Sequence, residues 1–154
     1  MSSETADAPT WDLTHLIDLE AAGLEPSGET DGAAAVDALL EVAQRRADAF
    51  ADEHEGKVAE LDGPGLLAAM QELAAISELA GRALNYAHLS FAGDTADPAI
   101  GALLQSSSER ATQLNTRLLF FELEWVAIDD ELAKELLATD GLDFCRHHLS
   151  LIHI

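Results

Sequence analysis

Between Asp97 and Asp129 the side chains that avoid water return in steps of four and three: Ile100, Leu104, Ser107, Ala111, Leu114, Leu118, Phe121, Trp125 and Ile128. That spacing keeps one stripe on one side of an α-helix. Asp97 is placed to cap it, and Pro98 falls at the first helical position, where its missing N–H costs nothing. Leu119, Phe120 and Leu123 widen the apolar face toward the C-terminal end. A helix this long and this apolar at one end requires other helices around it.

Two earlier stretches repeat the period. Val36, Leu40, Ala43, Ala47, Phe50 and His54 predict a helix that starts near Asp31 and is interrupted at Gly56. Leu61-Asp62-Gly63-Pro64-Gly65 reads as a turn, and Leu66, Met70, Leu73, Ile76, Ala80, Ala83 and Ala87 form the face of a second helix. Gly81 weakens that helix by about 1 kcal/mol relative to alanine, so a close approach by a neighbour is expected there. Phe91-Ala92-Gly93-Asp94-Thr95 ends it. Beyond the organising helix, Asp129 or Asp130 caps a shorter one through Leu137, Asp140-Gly141 breaks the chain, and a further helix starts at Leu142. No strand pair and no internal repeat is visible. The expected fold is all-α, an up-and-down bundle of long antiparallel helices with short connections.

The flanks are simpler. Residues 1–10 are small, polar and acidic and are expected to be disordered. Trp11 to Leu19 is a short amphipathic piece in which Trp11, Leu13, Leu16 and Ile17 anchor onto the bundle. Gly23 to Gly32, with Pro26 and Ser27, reads as a loop.

Charge narrows the partners. The 154 residues suit one domain and carry 29 acidic against 8 basic side chains, a formal net charge of -21. Nucleic acid and anionic membrane surfaces are repelled by that excess. The acids are scattered, as on solvated helix faces, and the same pattern fits a high-salt cytoplasm where ions screen self-repulsion. Cys145 is the only cysteine, so no intrachain disulfide is available and a reducing compartment is expected. The acidic N-terminus is no secretory signal, and no run approaches the length of a membrane span. The expectation is a cytoplasmic protein.

Candidate chemistry is thin. His54-Glu55 begins a zinc-peptidase motif, which needs a second histidine four residues on so that both imidazoles share a helical face; that position is Val58. Cys145-Arg146-His147-His148 offers soft ligands, of which Cys145 and His148 share a helical face while His147 points away, and no second cluster completes a tetrahedral site. Asp12 with His15, and Glu122 and Glu124, bring to mind a di-metal bundle, but Glu-x-x-His pairs are absent. Asn85, Tyr86 and His88 read as polar groups facing a cleft or, more simply, as interhelical or wet-surface groups. No residue is assigned as catalytic, cofactor-binding or metal-binding.

Four stretches together point to a family. They are Trp11-Asp12-Leu13; the Gly32-to-Gly65 stretch that ends in Leu-Asp-Gly; Ala87-His88-Leu89-Ser90-Phe91-Ala92-Gly93-Asp94-Thr95; and Leu119-Phe120-Phe121-Glu122-Leu123-Glu124-Trp125. In this order and spacing the chain resembles the N-terminal region of the oligoendopeptidase F family, M3-type zinc metallopeptidases, from about Trp11 to Leu149. The resemblance implies an almost wholly helical protein whose two halves close around a channel for short peptides. It also implies zinc held by His-Glu-x-x-His and a later glutamate, in a catalytic half beyond this sequence. No catalytic or metal residue is carried over, because no position here matches one.

The last six residues, Leu149-Ser150-Leu151-Ile152-His153-Ile154, can be encoded by CTG TCT CTT ATA CAC ATC, the transposon end used in sequencing libraries. The expected organisation is therefore a tail over 1–10, a helical oligoendopeptidase-like domain over 11–148 and an adapter-derived tail over 149–154. The first functional expectation is an N-terminal fragment of a zinc-dependent oligopeptidase, part of its channel wall, inactive as given and exposing apolar surface at the Phe120-to-Trp125 end of its organising helix that favours self-association. The alternative is a complete small helical binding or adaptor module without catalysis. A metal-storage or oxygenase bundle lacks its ligands.

Overall fold

A computed structural model describes residues 12–20 and 31–153. The expected tail over 1–10, the anchor Trp11 and most of the Gly23–Gly32 loop lie outside the described residues. Among the described residues there are five α-helices: α1 (Gly32–His54), α2 (Gly63–Gly93), α3 (Pro98–Val126), α4 (Asp130–Leu137) and α5 (Arg146–Ile152), with short 3-10 turns at Thr14–Ile17, Val58–Glu60 and Leu142–Phe144. No strand occurs among the described residues. The fold is an all-α bundle.

Aspartates start the first four helices. Asp31 accepts from Ala34 N at 2.8 Å, Asp62 from Gly65 N at 2.8 Å, Asp97 from Ala99 N at 2.8 Å and Asp129 from Glu131 N at 3.0 Å. Each carboxylate satisfies an orphan N–H and sits at the positive end of the helix dipole. Four of the chain's many acids are therefore structural. Asp62-Gly63-Pro64-Gly65, expected as a separate turn, is the cap and first turn of α2. The proline needs no amide hydrogen there, so the turn chemistry and the helix start are one feature.

The three long helices pack against one another through most of the expected stripes, while Leu73 of α2 and Ile100, Leu104 and Leu118 of α3 are only partly buried. Val36, Leu40, Ala43, Ala47 and Phe50 of α1, Leu66, Ile76, Ala83 and Ala87 of α2, and Leu114, Phe121 and Trp125 of α3 are all buried. Alanine at so many of these positions lets the backbones come close. Ion pairs run along the seams. Arg46 forks onto Glu72 at 2.7 and 2.6 Å between α1 and α2, and the guanidinium holds the Glu72 carboxyl below the usual carboxylate range. Arg110 reaches Asp37, and Arg117 reaches Asp48, Asp52 and Glu55, so α3 runs parallel to α1. With α2 between them in sequence, the order is up-down-up.

Two sequence expectations are corrected. A Cβ built on Gly81 meets nothing within 4 Å, so this glycine marks no close helix approach. The further helix expected from Leu142 is a 3-10 turn over Leu142–Phe144 followed by α5 from Arg146, because Gly141 leaves Asp140 through a left-handed conformation (φ 91°). The N-terminal turn is tied down by one side chain. Arg82 donates to the carbonyls of His15, Leu16 and Asp18 at 3.0–3.1 Å, and Leu19 is buried beside the bundle. Arg82→Ala removes all three bonds and should raise amide exchange across residues 12–20 by at least tenfold while α1 to α3 stay protected; unchanged exchange there would show that apolar packing of Ile17 and Leu19 holds the turn without it.

Candidate functional site: an apolar groove on the outer face

Opposite α1, the facing turns of α2 and α3 leave a groove of about 460 Å³. Its α2 wall is Met70, Leu73, Ala74 and Ser77, one helical face, and its α3 wall is Asn115, Leu118, Leu119, Phe121 and Glu122, where the edge of the apolar stripe meets the exposed face. Phe144, Cys145 and His148 close one end. Leu119 and Phe144 stand at the lip, 47% and 55% exposed, and Leu123 continues the α3 edge at 63%. The chemistry of the groove is that of an apolar binding surface with a few polar groups at its rim.

Its ionisable members do not form a reacting pair. Burial pushes the Cys145 thiol up, and its Sγ lies 3.5 Å from Leu142 O. A thiol held protonated is a poor nucleophile. His148 Nε2 lies 3.8 Å from Glu122 Oε1, beyond hydrogen-bond reach, and both side chains are more than half exposed. The structure thus brings Cys145, His148 and Glu122 to one groove and leaves His147 exposed away from it.

The other sequence candidates are dispersed and have structural work. The His54 ring packs on Phe50 with centroids 4.5 Å apart, while Glu55 pairs with Arg117 at 2.8 Å. Asp12 accepts from both Thr14 N and Thr14 Oγ1, and these bonds hold its carboxyl below the usual range. Asn85 and His88 are exposed, and Tyr86 lines a smaller hollow of about 240 Å³ between the ends of α1, α2 and α3. Among the described residues, no group of three His, Cys, Asp or Glu side chains converges on a metal position.

The segment Leu119–Trp125 divides its labour by position. Phe121 and Trp125 are buried at 2% and 0%, and Trp125 Nε1 donates to Leu149 O at 2.9 Å, so the indole joins α3 to α5. Glu124 accepts from Gly56 N at 2.7 Å and Val58 N at 3.2 Å, which caps the Val58–Glu60 turn. Leu119 and Leu123 face outward. The expected exposed end of this helix therefore excludes Trp125: the apolar surface is Leu119, Leu123 and Val126 on α3, with Phe144 just before α5 and Leu151 within it. The Glu124 cap was missed because its partners lie 66 and 68 residues away, and no local spacing announces such a bond. Glu124→Gln should cost about 1 kcal/mol and loosen residues 56–60 first; an unchanged unfolding midpoint and unchanged exchange there would show that the turn is held without it.

Comparison with known proteins finds no matching family model, no matching curated protein and no matching solved structure.

Proposed function

We propose that this chain is the N-terminal helical wall of an M3-type zinc oligopeptidase, a metalloendopeptidase for short peptides, and that it is inactive as given. The observation that carries the reading is the Leu119–Trp125 segment in its order and spacing with Trp11-Asp12-Leu13, the Gly32–Gly65 stretch and the Ala87–Thr95 stretch. The all-α architecture supports it, since a channel wall of that family is built from long packed helices. The division of Leu119–Trp125 into inward anchors, a cap and outward leucines is the kind of arrangement a wall segment needs, one side fixed and one side free. In this reading the fragment's own partners are the missing catalytic half and, through it, short peptides; the compartment is the cytoplasm. Among the described residues no helix is long and apolar enough to cross a membrane.

The residues present do not fit zinc. The only His-Glu pair is His54-Glu55, the position four residues after His54 is the fully buried Val58, and the His54 ring is packed on Phe50. No step of peptide hydrolysis is therefore assigned to this chain, and zinc belongs to the parent's catalytic half. The purified chain should cleave no fluorogenic peptide, with or without added zinc. Zinc-dependent cleavage abolished by a chelator would contradict the reading.

A further inference from the structure

We propose that the outer groove between α2 and α3 is the seat of a cationic amphipathic helix supplied by another polypeptide. The inference does not rest on the peptidase reading, whose missing half would compete for the same Leu119 surface; it rests on shape and charge together. The groove lies between two packed antiparallel helices on the side that α1 does not cover, with Leu73 and Leu118 in its walls and Leu119 and Phe144 at its lip. A volume of about 460 Å³ lies within the range of ligand pockets and suits two or three leucine-sized anchors. An incoming helix with apolar residues at i, i+4 and i+7 presents anchors along such a groove.

Charge selects among the helices that would fit. No lysine or arginine is among the described residues lining the groove. The nearby cations are turned elsewhere: Arg110 and Arg117 of α3 face the acids of α1, Arg82 of α2 is bound to the N-terminal turn, and Arg146 donates to Leu137 O and Thr139 O. At the rim, Glu122 is half exposed, and its nearest basic neighbour is His148 at 3.8 Å. The net charge of -21 extends the same sign over the whole molecule. A second copy of this chain arrives with an equal excess of negative charge, so it is the disfavoured occupant, whereas a helix flanked by lysine or arginine is drawn in and then held by its apolar face.

Three labelled peptides test this against the full 154-residue chain at low ionic strength: one with leucines at i, i+4 and i+7 and lysines on its flanks, the same leucine pattern flanked by glutamates, and a scramble of the lysine peptide without an apolar face. The lysine peptide should bind at least tenfold tighter than either control, and binding should weaken with salt. Leu119→Gln combined with Phe144→Ala, both at exposed positions, should weaken it by at least tenfold with the helical circular dichroism unchanged, and Glu122→Gln should flatten the salt dependence. Equal binding of the scramble, or binding untouched by the Leu119/Phe144 change, would overturn the proposal in favour of unspecific attraction to an acidic surface. Absence of binding, or a sedimenting dimer that the Leu119/Phe144 change dissolves, would overturn it as well, the latter in favour of a second copy.

Discussion

Trp125→Ala should destabilise the chain by about 3–5 kcal/mol, the largest effect of any single substitution considered. The side chain is fully buried where α3 meets the C-terminal segment, and its Nε1 holds Leu149 O at 2.9 Å. Truncation removes the indole's packing and also leaves a buried carbonyl without its donor, a loss of about 1–3 kcal/mol when no water replaces it. Trp125→Phe separates the two contributions, because it keeps most of the packing and deletes the hydrogen bond. It should cost less than half as much as the alanine change and expose α5 to exchange before the three long helices. Leu123→Gln, two residues earlier and 63% exposed, should stay within about 0.5 kcal/mol of the parent. Chemical unfolding of the three variants checks the order. Equal losses for Trp125→Ala and Leu123→Gln would mean that the α3–α5 junction does not contribute as its geometry implies.

Raising sodium chloride from millimolar to molar should move the thermal midpoint upward. The chain carries 29 acids against 8 lysines and arginines, so self-repulsion opposes the compact state. Screening also weakens the ion pairs that cross from α3 to α1, around Arg110 and Arg117. Those pairs lie at the surface, where solvent and salt leave each of them little net contribution. The excess of unmatched acids outweighs them, and a net relief of about 2 kcal/mol would raise the midpoint of a chain this size by about 4–8 °C. Sodium chloride is the appropriate salt because sulfate would also strengthen apolar burial. A midpoint unchanged or lowered by chloride would show that the paired charges, not the excess, set the electrostatic balance.

The helices were readable because their information is local. Capping aspartates, prolines in first turns and apolar residues at helical spacing act within a few residues of each other, and Asp31, Asp62-Pro64, Asp97-Pro98 and Asp129 all stand where the helices begin. Gly81 misled because glycine has two meanings on a helix, close approach or mere tolerance, and only the neighbour's distance separates them. Trp125 was expected at an exposed apolar end because its cover, α5, comes from 24 residues further along the chain. The groove was hidden for the same reason. Leu73 and Leu118 belong to the visible stripes, but their facing each other on the side away from α1 is a property of the packed bundle. No periodicity in one helix reports it.

The central claim, that this chain is the N-terminal wall of a zinc oligopeptidase, is tested most directly by sequencing the native locus across Leu149. Native DNA should depart from the CTG TCT CTT ATA CAC ATC stretch near that codon and continue in frame to a His-Glu-x-x-His motif. A stop codon directly after Ile154 in native DNA, with no such motif in frame, would contradict it.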